Sequence, residues 1–145
     1  MANVDIAAIR ADWVGRVFQE FDIVVDRERM LEFAISGGET DPRFIDPDDP
    51  EFQASTGFPT HVNVARMLPD DFPQIGTGGI DGGKSIEWYK PMHAGDHLHA
   101  EVQIADLYEK TGRSGTMVFI VNRMTFTDAD GEPVAMVDWR MIRQD

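Results

Sequence analysis

Three features of the 145-residue sequence predict an α+β protein in which an antiparallel sheet wraps around a helix. Helical spacing is confined to the first half, two-residue alternation to the second, and short turn sequences join the alternating segments. The change falls near the glycine-rich stretch 76–83. A chain of this length fits one hydrophobic core, so one domain over 1–145 is expected.

The N-terminal segment carries Trp13, Val14 and Val17, and the apolar run 21–25 predicts a first strand. Asp26 follows as an N-cap, since its carboxylate can accept the free amides of a first helical turn. Met30, Phe33 and Ala34 recur at helical spacing, and Gly37 and Gly38 stop the helix. Residues 39–59 contain Pro42, Pro47, Pro50 and Pro59 among many aspartates, which predicts an irregular connection. A connection of that length in a compact domain usually has a task. Thr60 is placed to cap a second helix to about Leu68, with Val64, Met67 and Leu68 on its apolar side and Pro69 at its end.

From Lys84 onward three segments alternate as half-buried antiparallel strands do. In 97–107, Leu98, Ala100, Val102 and Ile104 point one way while His97, His99, Glu101 and Gln103 point the other. Residues 117–127 are rich in β-branched and aromatic side chains and reach 133–142 through Asp128-Ala129-Asp130-Gly131, a hairpin turn. Gly112-Arg113-Ser114-Gly115 makes the preceding hairpin.

Composition narrows the function classes. A formal charge of -13, from 26 acidic and 13 basic residues, repels phosphate backbones and anionic lipid, which argues against nucleic-acid and membrane-surface partners. An anionic ligand would need local cations, and Lys84, Lys90, Lys110 and Arg113 are scattered with no spacing that selects them. With no cysteine there is no disulfide, thiolate metal site or cysteine nucleophile, which fits a reducing compartment such as the cytoplasm. The N-terminus shows no secretion-signal pattern, and no stretch approaches the ~18 apolar residues of a spanning helix. Walker, Rossmann and nucleophile-elbow patterns are absent.

Several segments in order resemble the MaoC-like hydratases and dehydratases, in particular their N-terminal-type half-domain. They are Phe33-Ala34 with Gly37-Gly38, then Asp41-Pro42 with Phe44 and Asp46; Gly82-Gly83-Lys84-Ser85-Ile86-Glu87-Trp88-Tyr89-Lys90-Pro91 running into Ala94-Gly95-Asp96; and Tyr108-Glu109-Lys110 with Gly112-Arg113 and Gly115, leading to Val118-Phe119. The resemblance implies a hot-dog fold that pairs into a double hot dog. It also implies hydration of enoyl thioesters, or dehydration of (R)-3-hydroxyacyl thioesters, with a coenzyme A thioester as substrate and no separate cofactor.

Adding water across a conjugated double bond needs a base to activate the water and an acid to protonate the neighbouring carbon. It also needs donors at the thioester oxygen, where enolate charge develops. Active members of the family take acid and base from a Gly-Asp-x-Asn-Pro-x-His stretch. That motif falls on Gly38, Glu39, Thr40, Asp41, Pro42, Arg43 and Phe44, so a phenyl ring stands at the histidine position.

The resemblance therefore implies a subunit that shapes the acyl tunnel while a second MaoC-like hot-dog chain supplies the Asp/His pair. Related heteromeric hydratases take bulky thioesters. Two alternatives stay open: a self-sufficient hydratase or thioesterase using Glu39 and His61, and a non-catalytic acyl-binding or assembly module. Asp41, Phe44, Thr60, Gly82 and Gly83 are the candidate substrate-binding residues. Each also has a plain structural reading: Asp41 as a turn residue, Phe44 as a loop anchor, Thr60 as a cap, and the two glycines as a strand bulge. His93, His97 and His99 read as surface residues around a turn, and no metal site is expected.

Overall fold

The computed structural model describes residues 4–62 and 66–145. A first helix, α1 (Ile6–Trp13), is capped by Asp5, which accepts the Ala8 amide at 3.0 Å. It buries Ile9 in a cluster with Ile104, Leu107, Val118 and Ile120. Arg10 ties it down by pairing with Asp106 and donating to the Leu107 carbonyl at 2.7 Å. Strand β1 (Val17–Val24) begins ahead of the expected apolar run, because a register shift between Val17 and Gln19 interrupts the alternation at its start. Asp26 caps α2 (Arg27–Ser36) as expected, accepting the Arg29 amide at 3.1 Å. Gly37 closes the helix and Gly38 turns away from it at a φ of 79°.

The connection that follows holds one short helix, α3 (Pro42–Ile45), with Asp41 as its N-cap and Pro42 in its first turn. The second long helix is a correction. A single 3₁₀ turn, Phe58–His61, stands at its expected start, and Met67 and Leu68 belong to no helix. Val64 lies outside the described residues. Thr60 sits inside the turn, and its hydroxyl donates back to the Gly57 carbonyl at 2.8 Å instead of accepting a first-turn amide.

Four further strands complete an antiparallel sheet: β2 (Gly78–Trp88), β3 (His97–Gly112), β4 (Gly115–Thr127) and β5 (Pro133–Gln144). Their order is β1-β3-β4-β5-β2, so β1 and β2 are the edges. The glycine stretch is itself strand rather than a border before it. β2 starts at Gly78 and slips register against β5 between Asp81 and Lys84, leaving a bulge at Gly82 and Gly83. Asp81 holds the bulge by accepting the Gly83 amide at 2.9 Å and the Trp139 indole N–H at 2.8 Å.

Leu98, Ala100, Val102 and Ile104 are buried, as their alternation predicts. A second register shift at Ile104/Asp106 re-phases the strand, so that Leu107 also faces inward. The main core joins Leu98, Ala100 and Val102 to Met30, Phe58, Met92, Phe126 and Val134, while Ile104 and Leu107 belong to the cluster under α1. Helix α2 reaches the main core through Met30, and both Met30 and Ala34 are fully buried. Burying side chains of the size of Met30 and Phe126 stabilises the fold by about 1.5–3 kcal/mol each. The result is the mixed α+β architecture of the hot-dog fold, a curved antiparallel sheet with its helices on the core side.

Candidate functional site

Antiparallel pairing of β1 with β3 builds a cluster that the primary sequence keeps far apart. Register places Asp22 opposite His99 and Glu20 opposite Glu101, all on the face turned away from Leu98 and Ala100. The Asp22 Oδ1 accepts a hydrogen bond from His99 Nδ1 at 2.8 Å. On the other side of the ring, His99 Nε2 lies 3.4 Å from Glu20 Oε1 and 3.8 Å from Glu101 Oε1. The Asp22 hydrogen bond raises the His99 pKa above the ordinary histidine value, against partial loss of hydration, and Glu20 adds to the rise. His99 therefore keeps its proton to higher pH than a free imidazole.

A cleft of about 420 Å³ opens beside this cluster, lined by Asp22, Val24, His97, His99, Asp128 and Ala129. Its far rim is the β4–β5 turn, where Asp128 pairs with Lys90 and accepts the amides of Asp130 and Glu132 at 3.0 and 2.9 Å. An imidazole whose charged form is favoured, neighbouring carboxylates and an adjoining cleft are parts that proton transfer to a bound substrate can use.

The sequence-predicted residues are dispersed over three other places. His61 packs against the rings of Phe33 and Phe58, 5.5 and 6.1 Å between centroids, and lines a cavity of about 190 Å³ with Phe21, Asp26, Arg29 and Val62. Glu39 follows the end of α2, its amide bonded to the Ala34 carbonyl at 3.0 Å. Among the described residues no hydrogen bond or ion pair joins Glu39 to His61. Arg43 Nε and Nη2 both donate to Asp41 Oδ2, at 3.1 and 2.7 Å, which holds the Asp41 carboxyl below the usual range. Phe44 lines a cleft of about 360 Å³ with Arg43, Gln53, Trp88, Tyr89 and Lys90. Thr60 lines a small cavity of about 130 Å³ with Lys84, Asn122 and Trp139, and its amide is already bonded to the Gly57 carbonyl at 3.1 Å. Gly82 and Gly83 form the bulge described above.

This geometry corrects the division of labour in which the chain contributes only a tunnel wall and a partner supplies the histidine and its carboxylate. The chain holds Glu20, His99 and Glu101 together on its own sheet. The motif that ends at Phe44 is a contiguous loop, whereas this imidazole comes from β3 and its carboxylates from β1 and β3. Among the described residues, His99 alone of the histidine cluster joins carboxylates of another strand, while His93 stays in its turn, its amide donating to Asp96 at 2.8 Å.

The antiparallel sheet with its helices on the core side is a hot-dog fold, and comparison with known proteins places the chain in a dehydratase family. The profile described as "FAS1-like, dehydratase domain region" matches residues 12–137. The chain belongs to that family. No curated protein matches it significantly.

Solved structures share the fold at low identity. The HadBC (3R-hydroxyacyl-ACP dehydratase) complex of Mycobacterium tuberculosis is 22% identical at a TM-score of 0.67, over 92% of this chain and 98% of that one. A MaoC-like dehydratase of Phytophthora capsici is 20% identical at 0.74, over 97% of this chain and 49% of that one, so this chain spans about half its length. The ChsH1-ChsH2 complex of Mycobacterium tuberculosis is 16% identical at 0.70, over 96% and 88%. None of the helices is long and apolar enough to cross a membrane among the described residues.

Proposed function

We propose that the chain is a hot-dog hydratase or dehydratase of acyl thioesters that carries its own acid and base. The observation behind this reading is the placement of His99 between Asp22 on one ring nitrogen and Glu20 and Glu101 near the other, beside a cleft. In hydration, a carboxylate of the pair takes a proton from water as the oxygen attacks C3 of the enoyl thioester. The His99 imidazolium gives its Nε2 proton to C2, and dehydration runs the same steps backwards. Asp22 fixes the ring and stabilises its charged form.

The substrate in this reading is a coenzyme A thioester, and the chemistry needs no further cofactor. The unit is one hot-dog domain over 1–145, placed in the cytoplasm. A second hot-dog subunit pairs with it, as the complexes named above pair their chains, to extend the acyl surface rather than to supply the proton carrier. The N-terminal-type resemblance then concerns shape alone.

The test is turnover of the purified chain, with no other chain present, on a short trans-2-enoyl-CoA followed by loss of enoyl absorbance. Steady hydration is the expected result. An inert chain that gains activity only with a second chain bearing its own Asp/His pair would overturn the reading. Retained activity in His99→Gln with loss in His61→Asn or Glu39→Gln would move the chemistry to Glu39 and His61.

A further inference from the structure

We propose that Glu20, His99 and Glu101 form a binding site for a divalent transition-metal ion of the zinc type, oriented by Asp22. The site rests on geometry alone. Its consequence for turnover rests on the reading of His99 as proton carrier.

A zinc ion sits about 2.0–2.2 Å from nitrogen and oxygen ligands, so tetrahedral ligand atoms are about 3.3–3.6 Å apart. The Nε2 to Glu20 Oε1 separation of 3.4 Å falls in that interval. The Nε2 to Glu101 Oε1 separation of 3.8 Å exceeds it by a few tenths of an ångström, which a half-exposed glutamate covers by a small rotation. All three ligand atoms lie within 4.8 Å of one another.

The second observation is the hydrogen bond on the far side of the ring. A carboxylate only accepts, so Asp22 requires the proton on Nδ1 and thereby presents Nε2 to the two glutamates. Carboxylate, histidine and metal in line is the arrangement by which proteins orient a metal-binding imidazole. Two carboxylates and an imidazole balance a divalent ion, and the net charge of -13 favours its approach. The partial exposure of His99, Glu20 and Glu101, at 38%, 58% and 44%, leaves room for water in the fourth position.

Zinc at Nε2 takes the place of the proton that hydration needs, so occupation of the site switches the acid off. Hard magnesium, which avoids imidazole, is expected to leave it alone.

Isothermal titration of the full chain with zinc, and separately with magnesium, tests the site without any substrate. The expected result is one zinc per chain, with loss of that binding in His99→Asn and at least a tenfold weakening in Glu101→Gln. Asp22→Asn is expected to weaken zinc about 10- to 100-fold without removing a ligand. Circular dichroism reports whether these variants keep the fold. Absence of one-to-one binding, unchanged affinity in His99→Asn, or equal binding of magnesium would each overturn the site. Hydration measured along the same zinc titration separates the two readings. Inhibition at the binding half-point supports the switch, full activity with zinc bound sinks the switch alone, and a chain inert with or without zinc sinks the enzymatic reading alone.

Discussion

At the level of single residues, the chain assigns carboxylates to structural and chemical tasks through their partners. Asp128 shows the structural kind: Lys90, then the Glu132 and Asp130 amides, hold its carboxyl below the ordinary value. A depressed pKa stabilises the fold above the unfolded value of about 3.9 and loses that contribution as pH falls through the folded value. The melting temperature is therefore expected to drop on acidification below about pH 4, and Asp128→Asn to lower it at neutral pH while flattening that acid limb. A variant with the wild-type acid profile would show that the Lys90 pair contributes nothing. His99 has the opposite sign. Its raised pKa stabilises the β1–β3 edge below about pH 6.5, and that contribution is lost as pH rises through the higher folded value.

Element by element, what could be read from the chain depended on whether a signal was local. Asp26, Met30, Ala34 and Gly38 lie within one helix and its ends, so caps and spacing located α2 directly. The β3–β4 and β4–β5 hairpins were legible for the same reason. The helix expected from Thr60 was not realised at its start, because Pro59 opens a 3₁₀ turn there and Thr60 bonds backwards to Gly57. The site was less legible still. Glu20 and Asp22 stand 79 and 77 residues from His99, and only the pairing of β1 with β3 makes them neighbours. His99 itself was visible as a polar-face residue, and an edge strand with alternating acids at 20 and 22 was the one signal that could have flagged its partners.

The β2 bulge carries a prediction at this same level. A Cβ on Gly82 would lie 2.9 Å from the Arg140 carbonyl oxygen of the paired strand, with no flexible group to yield. Gly82→Ala is expected to destabilise the protein by about 1–3 kcal/mol in urea unfolding, the cost of overpacking. An unchanged midpoint would mean that β2 is free to leave β5.

For the molecule as a whole, the hot-dog core and the acid/base cluster occupy opposite faces of the same strands. Leu98 and Ala100 face the helices, while His99 and Glu101 face outward. The cluster can therefore be altered with little effect on packing, and chemistry can be separated from stability. The decisive measurement is kcat for hydration of an enoyl-CoA by wild type and His99→Gln, each as the isolated chain and each checked for its melting temperature. With His99 as the proton donor, kcat falls about 100- to 10,000-fold while the melting temperature at pH 8 stays near that of wild type. A His99→Gln chain that turns over at the wild-type rate would contradict the assignment of the acid to this strand.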